Sequence, residues 1–334
     1  MSDHPDQADL ARDGKPLPDT KDNVRPIALK VPRVLTVLDI LTASVMKLDE
    51  RRELSCTTGN YQLDRITGGF RRGFTWLFGA TTSWGKSSFL VAIADENIRA
   101  KKRVLIVSSE DTEDVYGDRL MVRRARVDAL RYRDKKLSAV ERESVNSELA
   151  KAEEVPVFVD ARRWYVEDLT GHVRKLIDAE KIDLVAWDYV QEFRSKQRFQ
   201  DERVKFREIA SMLRHVTKDA KIPGVLFSQL TTTERTRVPT RDNIRECRDM
   251  ANAAEVIVLG FEPDAELKDG EQIIATEGDK VVFVDKVKNG PRNRFVKLPW
   301  HEERACFETV RAPDQDQIDQ ADEIGDFAQD ARYP

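Results

Sequence analysis

The chain has 334 residues, of which 40% are hydrophobic and 35% are charged, a composition typical of a globular protein rather than a membrane protein. No apolar run reaches the roughly 18 residues of a membrane span, and residues 1–13 lack the basic flank and apolar stretch of a signal peptide. We therefore expect a cytoplasmic protein with no membrane partner. The three cysteines are odd in number and form no CxxC pair, which disfavours disulfides and structural zinc.

The net charge of −4 is unevenly distributed along the chain. Residues 1–24 hold six Asp against three basic residues, and residues 312–334 hold seven acidic residues against one Arg. Residues 25–311 therefore carry a net charge of +5. A mildly basic body between acidic ends permits a nucleic-acid partner without requiring one.

The two ends differ in character from the rest of the chain. Charge and proline content predict a disordered acidic arm over residues 1–32, and composition predicts a disordered acidic tail over residues 312–334. Over residues 33–51, apolar side chains recur at helical spacing, which predicts an amphipathic helix; they are Val34, Leu38, Leu41, Val45 and Leu48. This helix either packs on its own core or docks as a linker on a neighbouring subunit.

Residues 52–311 alternate short apolar runs with amphipathic segments. This pattern predicts an α/β domain in which helices flank both faces of a mainly parallel sheet. The predicted strands are 74–78, 104–107, 155–159, 184–187 and 225–227, and the predicted helices are 87–99, 115–126, 138–153, 166–180 and 203–220. After Glu255, apolar runs separated by turns predict an antiparallel C-terminal extension of the sheet, with strands at 256–261, 272–275, 281–287 and 294–298.

The segment Ala-Thr-Thr-Ser-Trp-Gly-Lys-Ser, residues 80–87, follows a predicted strand and opens a predicted helix. It matches a phosphate-binding loop with Ala in place of the usual first Gly. In such loops, backbone N–H groups and the helix N-terminus surround phosphates, the Lys ammonium reaches the terminal phosphates, and the hydroxyl ligates Mg²⁺. The predicted nucleotide-binding residues are Ala80, Thr81, Thr82, Ser83, Trp84, Gly85, Lys86, Ser87 and Ser88. Trp84 is unusual in such a loop, and it either packs inward or stacks on another group.

Three polar residues end predicted strands, at the edge where open parallel sheets bind their ligands. Asp188 suits a carboxylate that supports Mg²⁺ together with Ser87. Glu110 is a candidate for polarising the attacking water, although an acid in the first turn of a helix also interacts favourably with the helix dipole. Gln229 is a candidate γ-phosphate sensor.

Two predicted loops carry several basic residues. These residues either contact the backbone of single-stranded DNA or are solvated surface charges. Arg194, Lys196 and Arg198 follow the Asp188 strand, and Arg241, Arg245 and Arg248 follow the Gln229 strand.

Seven short motifs, taken in order, resemble the ATPase domain of DnaB-type replicative helicases over roughly residues 34–310. They are Thr58–Gly69, Ala80–Ser87, Ser108–Glu110, Asp188–Gln191, Phe227–Leu230, Ile244–Glu246 and Lys286–Pro291. The resemblance implies a RecA-like P-loop NTPase core, and a ring of six subunits with ATP and Mg²⁺ at each interface. It also implies translocation along single-stranded DNA to unwind duplex during replication. Helix 33–51 then corresponds to the family's linker helix, and Arg245 and Glu246 to part of a DNA loop.

Some positions depart from the family pattern. Lys288, beside Lys286, stands where the family usually has an Arg finger, and lysine offers a point charge instead of a planar fork. Arg248 stands where the family tends to have Gly. The first 33 residues have no room for the family's N-terminal helical domain, which suggests a phage or mobile element. Contacts with a loader, primase or polymerase would then fall to the tails.

Two alternatives to a helicase motor stay open from the sequence. One is a RecA-, RadA- or KaiC-like ATPase that binds or remodels DNA or protein without processive unwinding. The other is a nucleotide-gated assembly module with slow turnover.

Overall fold

The computed structural model describes residues 55–152, 157–231, 238–244, 254–269 and 272–312, together with the isolated residues Val37 and Ala251. The chain divides into two units, Met1–Glu53 and Leu54–Pro334. Apart from Val37, the predicted acidic arm and the predicted helix 33–51 lie outside the described residues. The predicted acidic tail also lies outside them, apart from Ala312.

The second unit contains helices and strands in alternation. The α-helices are α1 (Tyr61–Thr67), α2 (Lys86–Arg99), α3 (Glu113–Ala125), α4 (Ala129–Arg133), α5 (Ala139–Ala150), α6 (Val166–Glu180) and α7 (Glu202–Asp219). The strands are β1 (Thr75–Ala80), β2 (Val104–Ser108), β3 (Val157–Asp160), β4 (Leu184–Asp188), β5 (Gly224–Gln229), β6 (Val256–Phe261), β7 (Leu267–Asp269), β8 (Gln272–Ala275), β9 (Lys280–Val287), β10 (Arg294–Leu298), β11 (Trp300–His301) and β12 (Cys306–Phe307). Short 3-10 helices cover Val190–Glu192 and Arg241–Asn243.

Eight strands form one sheet in the order β10-β9-β6-β1-β5-β4-β2-β3. Every pairing from β6 to β3 is parallel, and β9 and β10 add to the β6 edge in antiparallel orientation. The predicted α/β fold with an antiparallel C-terminal extension is therefore confirmed. Two details differ from the sequence prediction. β6 itself pairs in parallel with β1, and β8 forms a separate hairpin with β7.

Side chains alternate between the two faces of the sheet, as the period of a strand requires. In β1, Trp76 and Phe78 pack in the cluster that contains the buried face of α2. The intervening Leu77 packs in the opposite cluster with the apolar faces of α6 and α7. Because both faces are covered, the central strands are continuous apolar runs, which is how they were recognised in the sequence.

The parallel register brings four predicted strand ends to one edge. Ala80 of β1 is the partner of Gln229 of β5, and Ser108 of β2 is the partner of Asp188 of β4. These residues end neighbouring strands, so the loops that follow them meet above a single edge of the sheet. We call this edge the carboxyl edge.

None of the helices in the described part of the chain combines the length and apolar character that crossing a membrane requires.

Candidate functional site

The loop between β1 and α2 turns sharply before the helix begins. Ser83 and Gly85 both have positive φ, at 65° and 106°, and Phe89 donates its N–H to the Gly85 carbonyl at 2.9 Å as the first turn of α2 forms. A Cβ at Gly85 would lie 3.3 Å from both Phe307 and Trp300. This position therefore requires glycine for its φ and for the close approach of those two rings. The result is a backbone loop directed at the N-terminus of a 14-residue helix, a geometry that suits phosphate binding.

Trp84 packs inward, beneath the loop. Its side chain is fully buried, its indole N–H donates to the Phe261 carbonyl at 3.0 Å, and its ring lies 5.0 Å from that of Phe307. Of the two alternatives that the sequence left open, the structure shows the packing one. The expectation that Trp84 binds nucleotide is wrong for its side chain, because a fully buried indole cannot reach a ligand. Ala80 is likewise buried in β1 and forms the base of the loop.

Asp188 lies fully buried at the carboxyl edge. Its Oδ2 accepts a hydrogen bond from the Tyr116 hydroxyl at 2.7 Å, and its Oδ1 has no hydrogen-bond partner among the described residues. Burial raises the pKa of this carboxyl, while the hydroxyls of Tyr116 and Ser87 and the ammonium of Lys86 act against the rise. A buried carboxylate oxygen without a hydrogen-bond partner costs free energy unless a ligand, an ion or water binds to it.

The chemistry of these groups fits Mg²⁺. Carboxylate and hydroxyl oxygens are ligands that Mg²⁺ accepts, and it usually keeps several waters and binds substrate phosphates at the same time. Ser87 is half-buried at the second position of α2 and acts directly on the Asp188 carboxyl. Ser87 and Asp188 are therefore the residues that could hold the metal.

Lys86 is the first residue of α2, and its ammonium lies among acidic groups. Burial lowers its pKa, and the charges of Asp188 and Glu110 oppose that effect. Its Nζ lies 5.9 Å from the centre of the Tyr189 ring. The ammonium is therefore held beside the two carboxylates at the end of the phosphate loop.

Glu110 follows β2 on an exposed stretch of chain. Partial burial raises the pKa of its carboxyl, as do the charges of Asp188 and Asp111. Helix α3 begins only at Glu113, with Thr112 as its N-cap. Because Glu110 precedes the cap, the alternative role in the first turn of a helix loses its basis. An exposed carboxylate with a raised pKa close to Asp188 suits a group that accepts a proton from water.

Gln229 is bound directly to the phosphate loop. Its side-chain amide donates to the Thr82 hydroxyl at 2.7 Å, and its backbone carbonyl accepts from the Gln191 side chain at 3.3 Å. Gln191 also donates to the Ser228 hydroxyl at 2.7 Å. These contacts join the ends of β4 and β5 to the loop that is expected to hold phosphate.

The predicted DNA-contacting cations have different surroundings. Lys196 pairs with Asp168 at 2.6 Å, and Arg241 forms a short ion pair with Asp285. Arg194 and Arg198 are exposed, and within the described ranges neither side chain has an ion-pair partner. The remaining predicted residues of this set, Arg245, Glu246 and Arg248, lie outside the described residues.

Lys286 and Lys288 lie near the amino-terminal ends of the parallel strands, whereas the phosphate loop lies at the carboxyl edge. Val287 of β9 pairs with Val256 of β6, and Val256 pairs with Trp76 near the start of β1. The phosphate loop begins after Ala80, at the other end of β1. Trp76 and Ala80 are roughly 13 Å apart along β1, at about 3.3 Å per residue. Neither lysine is therefore brought to the phosphate loop of its own subunit.

The two lysines also differ from each other. The Lys286 ammonium donates to the Ala251 carbonyl at 3.2 Å, and its pKa is lowered by burial and by Arg241. Lys288 is exposed beyond the end of β9, and its backbone N–H donates to the Glu255 carbonyl at 2.8 Å.

Sequence reasoning missed Tyr116 as part of the site. It lies six residues after Glu110 on α3, and only the packing of α3 against the sheet brings its hydroxyl to Asp188, 72 positions away. No spacing pattern in the sequence marks this contact.

The glycine-containing loop between a buried parallel strand and a helix, with a carboxylate ending β4, which is separated from β1 by β5 alone, defines a P-loop nucleotide-binding domain. The family model of the DnaB-like helicase C-terminal domain matches residues 55–309, and the chain belongs to that family.

Curated relatives agree with this membership. The DnaB replicative helicase of Geobacillus stearothermophilus is 24% identical over 241 residues, which are 70% of this chain and 52% of that helicase. The corresponding protein of Haemophilus influenzae is 23% identical over 295 residues, 82% of this chain and 61% of that helicase. The chain thus spans little more than half the length of the curated relatives it matches.

Solved structures share the fold. An ATPase domain superimposes with a TM-score of 0.71 at 18% identity, covering 83% of this chain and 100% of that chain. A DnaB-like replicative helicase, studied with its primase interactions, superimposes with a TM-score of 0.69 at 17% identity, covering 84% of this chain and 68% of that chain.

Proposed function

We propose that this chain is the ATP-hydrolysing motor of a DnaB-like DNA helicase, which translocates on single-stranded DNA and unwinds duplex during replication. Family membership and the RecA-like P-loop architecture support the proposal. The observation that carries it is the buried Asp188, one of whose carboxylate oxygens has no hydrogen-bond partner in the described part of the chain, next to Ser87 and Lys86 at the end of a phosphate loop.

Each residue of the site has a role in this proposal. Lys86 and the backbone of the phosphate loop bind the terminal phosphates of ATP, and Ser87 with Asp188 holds Mg²⁺. When bound, the metal neutralises charge that develops on the phosphates. Glu110 orients the attacking water and accepts its proton. Gln229, already hydrogen-bonded to Thr82, senses the γ-phosphate through the loop.

We propose that the chain forms a hexameric ring, in which each subunit supplies a positive charge to the nucleotide of its neighbour. Lys288, or Lys286 beside it, supplies positive charge to the nucleotide of a neighbouring subunit. Their position at the edge opposite their own phosphate loop supports a role across an interface rather than within one subunit. Lys288 is the better candidate, because its side chain is exposed whereas Lys286 is partly buried and bonded to Ala251.

Single-stranded DNA is the proposed polymer on which the ring moves. Arg194 and Arg198 are exposed after β4 and suit phosphate contacts. Lys196 and Arg241 would exchange their present acidic partners for phosphates, while Arg245, Glu246 and Arg248 complete the proposed DNA set. A loader, primase or polymerase is proposed to bind through the tails.

The test compares three activities of the purified 334-residue chain: ATP hydrolysis alone, hydrolysis with single-stranded DNA, and unwinding of a forked duplex. A helicase motor gives hydrolysis that DNA stimulates, together with unwinding. A RecA-, RadA- or KaiC-like ATPase hydrolyses ATP without unwinding the duplex, and an assembly module gives neither hydrolysis nor stimulation by DNA. Either of the last two results overturns the motor proposal. A Lys86→Ala protein serves as the control for contaminating ATPases.

A further inference from the structure

We propose that Tyr116 is a positioning residue for the metal site, and that its hydroxyl fixes the Asp188 carboxylate so that the second oxygen would be available to a metal. This inference rests on the proposed nucleotide-dependent function. It concerns a residue that lies outside the phosphate loop and outside every strand end of the carboxyl edge.

The contact is direct and enclosed. Tyr116 is 3% exposed and Asp188 is fully buried, and the hydroxyl donates to Oδ2 at 2.7 Å. A hydrogen bond to an ionised acceptor is stronger than one between neutral groups, and the surrounding low dielectric strengthens it further. One oxygen of Asp188 is therefore committed to the protein.

The other oxygen has no partner in the ranges that the structure describes. Oδ1 accepts no hydrogen bond from any described residue, although it is as buried as Oδ2. A carboxylate held at one oxygen cannot rotate freely, so the hydrogen bond from Tyr116 also fixes the direction of Oδ1. Residues that hydrogen-bond to a metal ligand orient that ligand, and they commonly determine the affinity for the metal.

The same contact connects the two functional carboxylates. The segment that carries Glu110 runs from Ser108, whose hydroxyl accepts the backbone N–H groups of Glu110 and Asp111 at 3.3 and 3.0 Å, into α3, which carries Tyr116. The Tyr116 hydroxyl thus ties the N-terminal part of α3 to the end of β4. Its loss would loosen the spacing between Glu110 and Asp188 as well as the orientation of Asp188.

The experiment uses Tyr116→Phe, which removes the hydroxyl and keeps the ring in the core. Mn²⁺ serves as the metal probe, and its binding to the ADP-loaded protein is followed by electron paramagnetic resonance. We expect affinity for Mn²⁺ to fall roughly 10-fold or more, while binding of fluorescent ADP without metal stays at the wild-type level. The Mg²⁺ concentration for half-maximal ATP hydrolysis should rise by a similar factor, and excess Mg²⁺ should restore much of the rate.

Tyr132→Phe is the matched control, because Tyr132 is a partly buried tyrosine of α4 that packs in a separate cluster. It should leave affinity for Mn²⁺ unchanged. Thermal unfolding without ligands identifies any general loss of folding, and a Tyr116→Phe protein that binds ADP normally without metal is folded at the site.

Asp188→Asn then tests whether Tyr116 acts through Asp188. In that background, adding Tyr116→Phe should change affinity for Mn²⁺ little, because effects that share one partner are not additive. Wild-type affinity for Mn²⁺ in Tyr116→Phe overturns the inference, and so does an equal loss in both backgrounds. If the wild-type protein binds neither ADP nor Mn²⁺ with ADP, the proposed function itself fails, which is a different result.

Discussion

Two carboxylates at the same sheet edge have different surroundings, and this difference supports the different roles proposed for them. Asp188 is fully buried and hydrogen-bonded on one side, whereas Glu110 is exposed on the chain after β2. A buried, fixed carboxylate suits a metal, and an exposed one suits proton transfer with water. Enzymes that need two such roles commonly separate them by environment in this way.

At Lys86, we expect substitution by Ala to lower ATP hydrolysis by at least roughly 100-fold, as removal of one fixed charge at a reacting phosphate commonly does. The ammonium interacts with two carboxylates in a half-buried site, so its removal changes the charge of the site and not the core. Steady-state ATPase assays and circular dichroism of the purified variant measure the effect. A folded variant with wild-type turnover would remove the phosphate-loop assignment.

Glu110→Gln should separate binding from hydrolysis. The amide keeps the size and hydrogen bonding of the side chain but cannot accept a proton, so hydrolysis should fall by about 10² to 10⁴ while ATP binding persists. Nucleotide affinity and single-turnover rates distinguish the two effects. Glu113→Gln, a change of the same kind in the first turn of α3, is the control and should retain activity. An equal loss of binding and turnover in Glu110→Gln would make Glu110 a structural residue.

Several candidate site residues were proposed from the sequence because each follows an apolar run. Glu110, Asp188 and Gln229 were proposed in this way, since a buried parallel strand is visible as a run and its next polar residue reaches the carboxyl edge. Tyr116 could not be proposed in this way, because its contact with Asp188 depends on how α3 packs against the sheet. The burial of Trp84 was also undecided, since a loop tryptophan can face either way until Phe261 and Phe307 are placed around it.

At the level of elements, α2 and α3 are joined by a buried ionic cluster away from the phosphate loop. Asp95 of α2 is 1% exposed and pairs with Arg123 at 3.1 Å and Arg124 at 2.7 Å, both from α3. Arg123 also donates to Thr309 at 2.9 Å, which ties the segment after β12 to the same helices. The helix that begins at the phosphate loop is thereby fixed to the helix that carries Tyr116.

We expect Asp95→Ala to destabilise the fold by about 3 kcal/mol or more, because it leaves the largely buried Arg124 guanidinium without its carboxylate and leaves Arg123 paired, among the described residues, with Glu96 alone. Urea unfolding followed by tryptophan fluorescence measures the change. Asp219→Ala is the control: Asp219 also pairs with an arginine from another helix, Arg174 of α6, but both side chains are about half exposed. That change should cost less than about 1 kcal/mol. Similar losses in both variants would mean that the Asp95 cluster contributes no more than a surface pair.

Element boundaries followed the sequence most closely where the periodic signal is complete. The prediction for α6 matches Val166–Glu180, and those for β6, β8 and β10 match their observed ranges. Helix α4 was missed because five residues are too few to show a helical period. The predicted helix 138–153 is observed as Ala139–Ala150, and its start is explained by a capping box between Ser138 and Glu141.

For the whole molecule, the proposed ring makes a prediction about Lys288. Lys288→Ala should strongly lower DNA-stimulated turnover, since a charge supplied in trans by Arg contributes roughly 10³ to 10⁵ in related NTPases and Lys should contribute less. Lys288→Arg should be tolerated or faster. The measurement is steady-state ATPase activity with single-stranded DNA.

Subunit mixing tests whether that contribution crosses an interface. Lys288→Ala subunits combined with Glu110→Gln subunits should regain part of the activity, because some interfaces then pair an intact Glu110 with an intact Lys288. Mixing each variant with itself is the control. Wild-type turnover by Lys288→Ala alone would remove the trans assignment, and Lys286→Ala would then identify whether its neighbour acts instead.

Deletion of residues 1–51 should weaken the assembly, because the predicted apolar stripe of helix 33–51 would no longer be buried on a neighbouring subunit. Sedimentation velocity with an ATP analogue compares the deletion with the 334-residue chain. Substituting Asp39 and Lys47 by Ser on the polar face is the control and should leave the assembly intact. The same assembly with and without the segment would mean that the helix packs within its own subunit.

The sequence by itself determined the α/β class, the phosphate loop and the strand-end residues, because these depend on local period and on short-range order along the chain. Parallel pairing then brings successive strand ends to one edge without further information. The tertiary structure alone decided that β6 is parallel, that Trp84 is buried and that Lys286 and Lys288 lie away from their own phosphate loop. It also decided that Tyr116 holds Asp188, because contacts between residues distant in sequence depend on how helices pack on the sheet, and no local pattern encodes that packing.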